Sequence, residues 1–124
     1  MTMQESGEMY LETILVLSKE RKVVRSIDIC EYMGFSKPSV SRAMSKLRED
    51  HYIEMDKDNY ITLTPEGLEI ASKIYERHTY LSRFFKSIGV SDETASADAC
   101  KIEHDISDET FDAIKKIVMN GKKE

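Results

Sequence analysis

Apolar residues recur at helical spacing through most of the chain. In residues 6–20 they stand three or four positions apart, at Leu11, Ile14, Leu15 and Leu17, which predicts an amphipathic helix. The same spacing occurs twice between residues 25 and 50, on either side of Gly34. A glycine just past a helical pattern is typical of a helix C-cap. The pattern therefore predicts a short helix, a sharp turn and a second helix.

The second of these helices has an apolar stripe and a polar outer side. Ser36 is placed to cap it, and Pro38 falls in its first turn. The stripe consists of Val40, Met44 and Leu47, and the other faces carry Ser39, Ser41, Arg42, Ser45 and Lys46. This pattern indicates a helix-turn-helix whose second helix enters a DNA groove. A helical hairpin without a DNA partner is the alternative, because it also buries one stripe and exposes the other.

Residues 52–64 alternate apolar and polar positions on both sides of a polar turn at residues 56–59, which predicts a β-hairpin. A hairpin directly after a helix-turn-helix is the wing of a winged helix. Lys57 at its tip is a candidate phosphate contact.

Three further helices are predicted from caps at Thr64, Ser91 and Ser107. The first runs to Gly89, about 35 Å by helix rise, and its apolar stripe comprises Leu68, Ala71, Ile74, Tyr75, His78, Leu81, Phe85 and Ile88. The last has an expected inner side of Phe111, Ile114, Ile117 and Val118. We expect a mainly α fold, with a winged helix-turn-helix DNA-binding domain in residues 1–66 and a helical dimerisation domain in residues 67–124.

The charge of the chain is unevenly distributed. The net charge is −5, yet residues 21–50 carry seven basic and four acidic side chains, a net +3, which leaves −8 for the remainder. A basic binding module joined to an acidic one is therefore indicated. The sequence has no apolar run long enough for a membrane span, and residues 1–8 lack the basic region and apolar core of a signal peptide. Its two cysteines fit a reducing compartment, so we expect the protein in the cytoplasm.

Candidate metal ligands lie in three of the predicted helices. Cys100, Glu103 and His104 share one face if their segment is helical, and thiolate, carboxylate and imidazole suit a divalent transition metal. The alternative is a small buried Cys100 beside a solvated Glu103 and His104. Further candidates are Met9 and Glu12 on the first helix and His78 on the long one. Core packing is the default for Met9 and His78, and sequence spacing does not show that the three helices meet.

Several segments in order resemble the diphtheria toxin repressor family of metal-dependent bacterial repressors, which includes manganese transport regulators. They are Glu8-Met9-Tyr10-Leu11, Ser36-x-Pro38-Ser39-Val40-Ser41, Leu63-Thr64-Pro65-x-Gly67, Arg77-His78 and Ala99-Cys100-x-x-Glu103-His104. The resemblance implies a homodimer that binds a two-fold operator in duplex DNA when metal is bound. The short C-terminus is similar to the manganese branch, because the barrel domain of the longer members is absent.

The resemblance also implies the ligand set. Met9, Cys100, Glu103 and His104 match the iron-type primary site, and Glu12 and His78 match positions of a second metal in the manganese type. Two ancillary ligands of the iron type are replaced here by Ser82 and Ser96. Thiolate and thioether favour Fe²⁺, Co²⁺, Ni²⁺ or Zn²⁺ over Mn²⁺. We expect an iron-activated repressor of metal-uptake genes, with a manganese- or zinc-responsive regulator as the alternative.

The DNA-binding residues are expected in and beside the helix-turn-helix. By resemblance and by charge they are Arg25, Ser36, Lys37, Pro38, Ser39, Ser41, Arg42 and Lys46. Ser36, Pro38, Ser39 and Arg42 match positions near base edges, and Arg25, Ser41 and Lys46 are expected at phosphates. Arg42 replaces the glutamine of the iron-type repressor, so the operator sequence is not carried over.

Three other functions use the same residues differently. In a redox-sensing winged-helix repressor, Cys100 would be oxidised and would not bind metal. A small enzyme would use Cys100 and His104 as a catalytic pair, but no glycine-rich loop or nucleophile elbow accompanies them. A purely structural dimer adaptor is the third. We expect a non-enzymatic regulator with no membrane partner and no small organic substrate.

Overall fold

A computed structural model describes residues 5–121 and contains six helices and two strands in that range. In chain order they are α1 (Glu5–Glu20), α2 (Ser26–Met33), α3 (Lys37–Glu49), β1 (Ile53–Met55), β2 (Ile61–Leu63), α4 (Pro65–Ser87), α5 (Asp92–Ile102) and α6 (Asp108–Gly121). The chain forms two compact units that divide between Ser72 and Lys73, inside α4.

The core of the first unit is built from the apolar stripes of its helices and the inner face of its hairpin. Its fully buried members include Leu11, Ile14, Ile29, Val40, Met44 and Ile53. The stripe expected on α3 is confirmed, since Val40, Met44 and Leu47 are all buried. Each such side chain contributes roughly 1.5–3 kcal/mol by leaving water, so this packing fixes which side of α3 faces outward.

The turn between α2 and α3 has the predicted chemistry. Gly34 adopts the left-handed conformation with φ of 73°, and its N–H donates to the Cys30 carbonyl oxygen at 2.8 Å. The Ser36 hydroxyl accepts a hydrogen bond from the Ser39 N–H at 3.3 Å and caps α3. The helix-turn-helix expected from the glycine and the cap is thus present.

The wing is an antiparallel hairpin in which Ile53 pairs with Leu63 and Met55 with Ile61. At its tip the Asp56 carboxylate accepts hydrogen bonds from the N–H groups of Asp58 and Tyr60. These local bonds hold the predicted polar turn closed. Together with the helix-turn-helix, the hairpin makes the first unit a winged helix.

The start of α4 is packed tightly against the chain before the wing. Thr64 caps this helix, accepting a hydrogen bond from the Gly67 N–H at 3.1 Å. A Cβ at Gly67 would lie 2.0 Å from the Tyr52 carbonyl oxygen. Only glycine permits this approach, because any side chain would overlap the backbone of Tyr52.

The second unit has a small core around Leu81, Ala99 and Phe111. The Ser91 and Ser107 hydroxyls cap α5 and α6 as predicted. The apolar faces expected on the long helix and the last one are covered only in part. Four large apolar residues that were predicted to face inward are exposed: Leu68 in the first unit, and Tyr75, Ile88 and Ile117 in the second. The prediction was wrong for these residues because periodicity identifies an apolar face but not how much of it the same chain covers. Within residues 5–121, every helix is too short or too polar to span a lipid bilayer.

Candidate functional site

A thiol, an imidazole and a carboxylate meet in the second unit. His78 on α4, Cys100 on α5 and Glu103 just beyond α5 each offer one ligand atom, and these atoms lie within 4.8 Å of one another. Cys100 is exposed, His78 is partly buried and Glu103 is fully buried. The cluster is therefore open to solvent on the sulfur side and enclosed on the carboxylate side.

The local fold keeps Cys100 and Glu103 one helical turn apart. Glu103 has right-handed helical backbone angles, and its N–H donates to the Ala99 carbonyl oxygen at 3.0 Å. The helix was expected to continue through His104, but α5 ends at Ile102 and His104 lies in the following turn. The backbone closes into a turn there, because the Ile102 carbonyl oxygen accepts hydrogen bonds from the N–H groups of both Asp105 and Ile106.

Glu103 is the centre of the polar contacts in the cluster. Its Oε2 lies 2.9 Å from Nδ1 of His78, and its Oε1 lies 3.4 Å from Nε2 of His104. The Ser96 hydroxyl lies 3.4 Å from the other ring nitrogen of His78. Among residues 5–121, Oε1 of Glu103 has no hydrogen-bond partner although it is buried. Burying a carboxylate costs several kcal/mol unless charge or hydrogen bonds offset it, so this arrangement suits a cation.

The burial pattern is the reverse of the alternative in which Cys100 is core and its neighbours are solvated. Glu103 has no exposed surface, and only 1% of the His104 side chain is accessible, whereas the Cys100 thiol is on the surface. Two ionisable groups enclosed beside an open thiol fit the donor set of a borderline divalent metal.

Arg77 is a feature of this region whose contacts the sequence did not reveal. The residue is 5% exposed, and its Nη1 donates to the carbonyl oxygens of Glu103 at 3.0 Å and Ile106 at 2.7 Å. Its Nη2 forms an ion pair with Asp108. Hydrogen bonds from Arg77 and then from Lys73 hold the pKa of Asp108 below its ordinary value.

The remaining predicted ligands lie in the first unit. Met9 and Glu12 are both partly buried and stand three residues apart on α1, where the Met9 carbonyl oxygen accepts from the Thr13 hydroxyl at 2.9 Å. Of the two serines at iron-type ligand positions, Ser82 is buried, and Ser96 is exposed and contacts His78.

The predicted DNA-binding residues form the outer side of the helix-turn-helix. The exposed ones are Arg25, Ser36, Lys37, Pro38, Ser41, Arg42 and Lys46. Ser39 is partly buried, and its hydroxyl and N–H are both hydrogen-bonded to the Ser36 hydroxyl. Lys46 lies 3.6 Å from the carboxylate of Asp50, the C-cap residue just beyond α3.

Arg25 also has an intramolecular role that spacing did not reveal. Its guanidinium donates to the Tyr60 hydroxyl at 3.1 Å and lies 5.0 Å from the centre of that ring. This hydrogen bond raises the pKa of Arg25. The contact joins the start of α2 to the wing, so Arg25 presents a permanent positive charge from a fixed position.

A winged helix followed along the chain by a helical unit with a thiol–imidazole–carboxylate cluster is the architecture of a metal-responsive transcriptional regulator. Two family models match the chain: the N-terminal DNA-binding domain of iron-dependent repressors over residues 2–61, and their metal-binding and dimerisation domain over residues 64–124. The chain belongs to this family of metal-dependent transcriptional repressors, which confirms the resemblance found in the sequence.

Named relatives agree with this membership. The HTH-type transcriptional regulator MntR of Geobacillus kaustophilus (strain HTA426) is 35% identical over 113 residues, 91% of this chain and 80% of that protein. The solved structure of the manganese regulator SloR is 28% identical with a TM-score of 0.81, covering 95% of this chain and 54% of that one. The structure of ScaR with bound Zn²⁺ is 25% identical with a TM-score of 0.74, covering 90% of this chain and 53% of the ScaR chain. The chain thus spans about half the length of these two solved chains.

Proposed function

We propose that this chain is a homodimeric, iron-activated repressor that binds operator DNA and controls metal-uptake genes. Residues 1–66 serve as the DNA-binding domain and residues 67–124 as the metal-binding and dimerisation domain. The observation that carries the choice of metal is the exposed Cys100 thiol within 4.8 Å of the ligand atoms of His78 and Glu103. A thiolate favours Fe²⁺ and later first-row metals over Mn²⁺, which prefers oxygen ligands.

The ligands would come from both units of the chain. Cys100, Glu103 and His104 would hold the metal with Met9, and Glu12 and His78 would support it or a second ion. When bound, a divalent cation would supply positive charge beside the buried Glu103 carboxylate. Cys100 binds as the thiolate, so its proton must be released on binding. A metal bound by residues of α1 and of the second unit would bind one conformation of the protein better than another. A ligand can shift a conformational equilibrium only through such a difference in affinity.

On the DNA side, α3 enters the major groove and the dimer spans a two-fold operator with half-sites about 34 Å apart. Arg42 contacts a guanine edge near Ser36, Pro38 and Ser39. The DNA phosphates are contacted by basic and polar side chains, those of Arg25, Lys37, Ser41 and Lys46. The exposure of Arg42 and Lys46, away from the buried stripe of α3, supports contact of both residues with DNA.

Manganese or zinc regulation is the second candidate. The manganese regulator SloR and ScaR with bound Zn²⁺ share the fold over most of this chain, which supports it. The redox alternative uses the same exposed Cys100 but requires no metal.

The test is metal-dependent DNA binding without oxygen. An operator is first selected from random duplexes with Fe²⁺-loaded protein, and its affinity is then measured by fluorescence anisotropy with Fe²⁺, Mn²⁺, Co²⁺ and Zn²⁺. We expect activation by Fe²⁺ at lower concentration than by Mn²⁺, and loss of binding after chelation. Equal or better activation by Mn²⁺ overturns the iron assignment, and an oxidant response of metal-free protein favours the redox alternative.

A further inference from the structure

Arg77 is a buried cation in the second unit, where only 5% of its surface is accessible. Its guanidinium lies 5.5 Å from the centre of the Phe111 ring, which covers one side of it. Taking such a charge out of water costs several kcal/mol unless its hydrogen bonds and counter-charge are well placed. A leucine or methionine would fill an apolar helix face at lower cost, so the contacts of this arginine require an explanation.

The hydrogen bonds of Arg77 fall on the short link that joins α5 to α6 and on the first residue of α6. Nη1 donates to the carbonyl oxygens of Glu103 and Ile106, at 3.0 and 2.7 Å. Nη2 pairs with Asp108 in the first turn of α6. One guanidinium therefore fixes the link at its beginning, middle and end.

Glu103 is held by two successive residues of α4. Arg77 binds its main-chain oxygen, and Nδ1 of His78 binds its carboxylate at 2.9 Å. The backbone and the side chain of one candidate ligand are thus fixed from the same turn of the neighbouring helix. His104 follows Glu103 directly, so its backbone is held by the same contact.

We propose that Arg77 is the positioning residue of the metal centre: it holds the link after α5 so that Glu103 and His104 are placed for a cation before one binds. This inference rests on the proposed metal function of the cluster. Residues that orient ligands typically change metal affinity roughly 10–100-fold when they are replaced. Lysine cannot substitute, because its single ammonium group does not reproduce the planar fork that reaches two carbonyl oxygens and a carboxylate together.

Lys73 provides a matched control. Its ammonium group also pairs with Asp108, at 3.3 Å, but its side chain is 57% exposed. Among the contacts described for residues 5–121, Lys73 binds neither the Glu103 nor the Ile106 carbonyl oxygen. Replacing Lys73 therefore removes a cation from Asp108 and leaves the carbonyl contacts of the link intact.

The experiment is an anaerobic Co²⁺ titration of the full chain, in which the thiolate-to-cobalt charge-transfer band reports Cys100 and the d–d bands report coordination geometry. We expect Arg77→Lys to weaken Co²⁺ binding roughly 10–100-fold and to alter the d–d bands, and Lys73→Gln to change neither. If Arg77→Lys does not fold, Asp108→Asn is the deciding variant, because it keeps the guanidinium but removes its partner carboxylate. We expect Asp108→Asn to weaken Co²⁺ binding.

The outcomes separate this inference from the function on which it rests. If Arg77→Lys binds Co²⁺ with wild-type affinity and shows wild-type bands, the positioning role is overturned, but the proposed metal site is not. If Asp108→Asn is the deciding variant, wild-type affinity and bands in that variant have the same consequence. Absence of the charge-transfer band from the wild-type protein overturns the metal site and the inference together. Equal losses in Lys73→Gln and Arg77→Lys also overturn it, because Lys73→Gln leaves the carbonyl contacts of Arg77 intact.

Discussion

Nδ1 of His78 lies 2.9 Å from Oε2 of Glu103, which is 25 residues further along the chain. This contact joins α4 to the end of α5 and places two candidate ligand atoms side by side around a carboxylate with no exposed surface. Cys100 completes the cluster from the solvent side. The identity of the residue at position 100 is therefore the feature on which metal preference is expected to depend.

Replacing Cys100 by glutamate should shift metal preference toward Mn²⁺, because a carboxylate replaces the soft donor. The measurement is competition between Mn²⁺ and Co²⁺ in both proteins, followed through the cobalt d–d bands, because the variant lacks the Cys100 thiolate that gives the charge-transfer band. Cys30→Ala is the control, since Cys30 is the other cysteine of the chain and is buried in the core of the first unit. Unchanged preference in Cys100→Glu would show that the thiol is not a ligand.

Arg42 and Lys46 should affect DNA binding in different ways. Arg42→Ala is expected to relax sequence preference, by roughly 1–3 kcal/mol if the arginine contacts guanine with both of its donors. Lys46→Ala should weaken binding to every sequence alike and reduce the salt dependence, because a phosphate contact is lost. Anisotropy titrations with the selected operator and a scrambled duplex, each at several salt concentrations, measure both effects. Identical behaviour of the two variants contradicts the assignment.

Gly67→Ala should destabilise the protein by at least about 1–3 kcal/mol, the usual cost of forcing extra atoms into a packed region. The added Cβ would lie 2.0 Å from the Tyr52 carbonyl oxygen, so the start of α4 must move. Gly121→Ala is the control, because no atom of the described chain outside its own helical turn lies within 4 Å of the position that its Cβ would take. Urea unfolding followed by circular dichroism compares the two variants, and equal midpoints would contradict the packing argument.

Stability should fall in acid partly through Asp108. Arg77 and Lys73 lower the folded-state pKa of this carboxyl below its ordinary value of 3.8. The stabilisation is thus fully present above the unfolded-state pKa and is lost as pH falls through the folded-state pKa. Unfolding at a series of pH values should show the wild type losing its advantage over Asp108→Asn in this acid range. A constant difference between the two proteins across the range would contradict the ion pair.

The sequence by itself was enough to identify the helices, their caps and the turn at Gly34. The reason is that a cap joins atoms three or four residues apart, as in the bond from the Ser39 N–H to the Ser36 hydroxyl. The helical spacing of Cys100 and Glu103 is equally local, so two of the three members of the cluster were visible in the pattern. The membership of the family was also readable, because its motifs occur along the chain in order.

Only the tertiary structure decided which side chains surround Glu103. Its contacts with His78 and Arg77 span 25 and 26 residues, and no periodicity specifies a pairing across that separation. Its complete burial was equally unpredictable, since glutamate is seldom enclosed without a partner. The same limit applies to Ile117, which has the spacing of a core residue but is 57% exposed. A pattern defines the face of a helix, whereas packing of distant segments determines what covers that face.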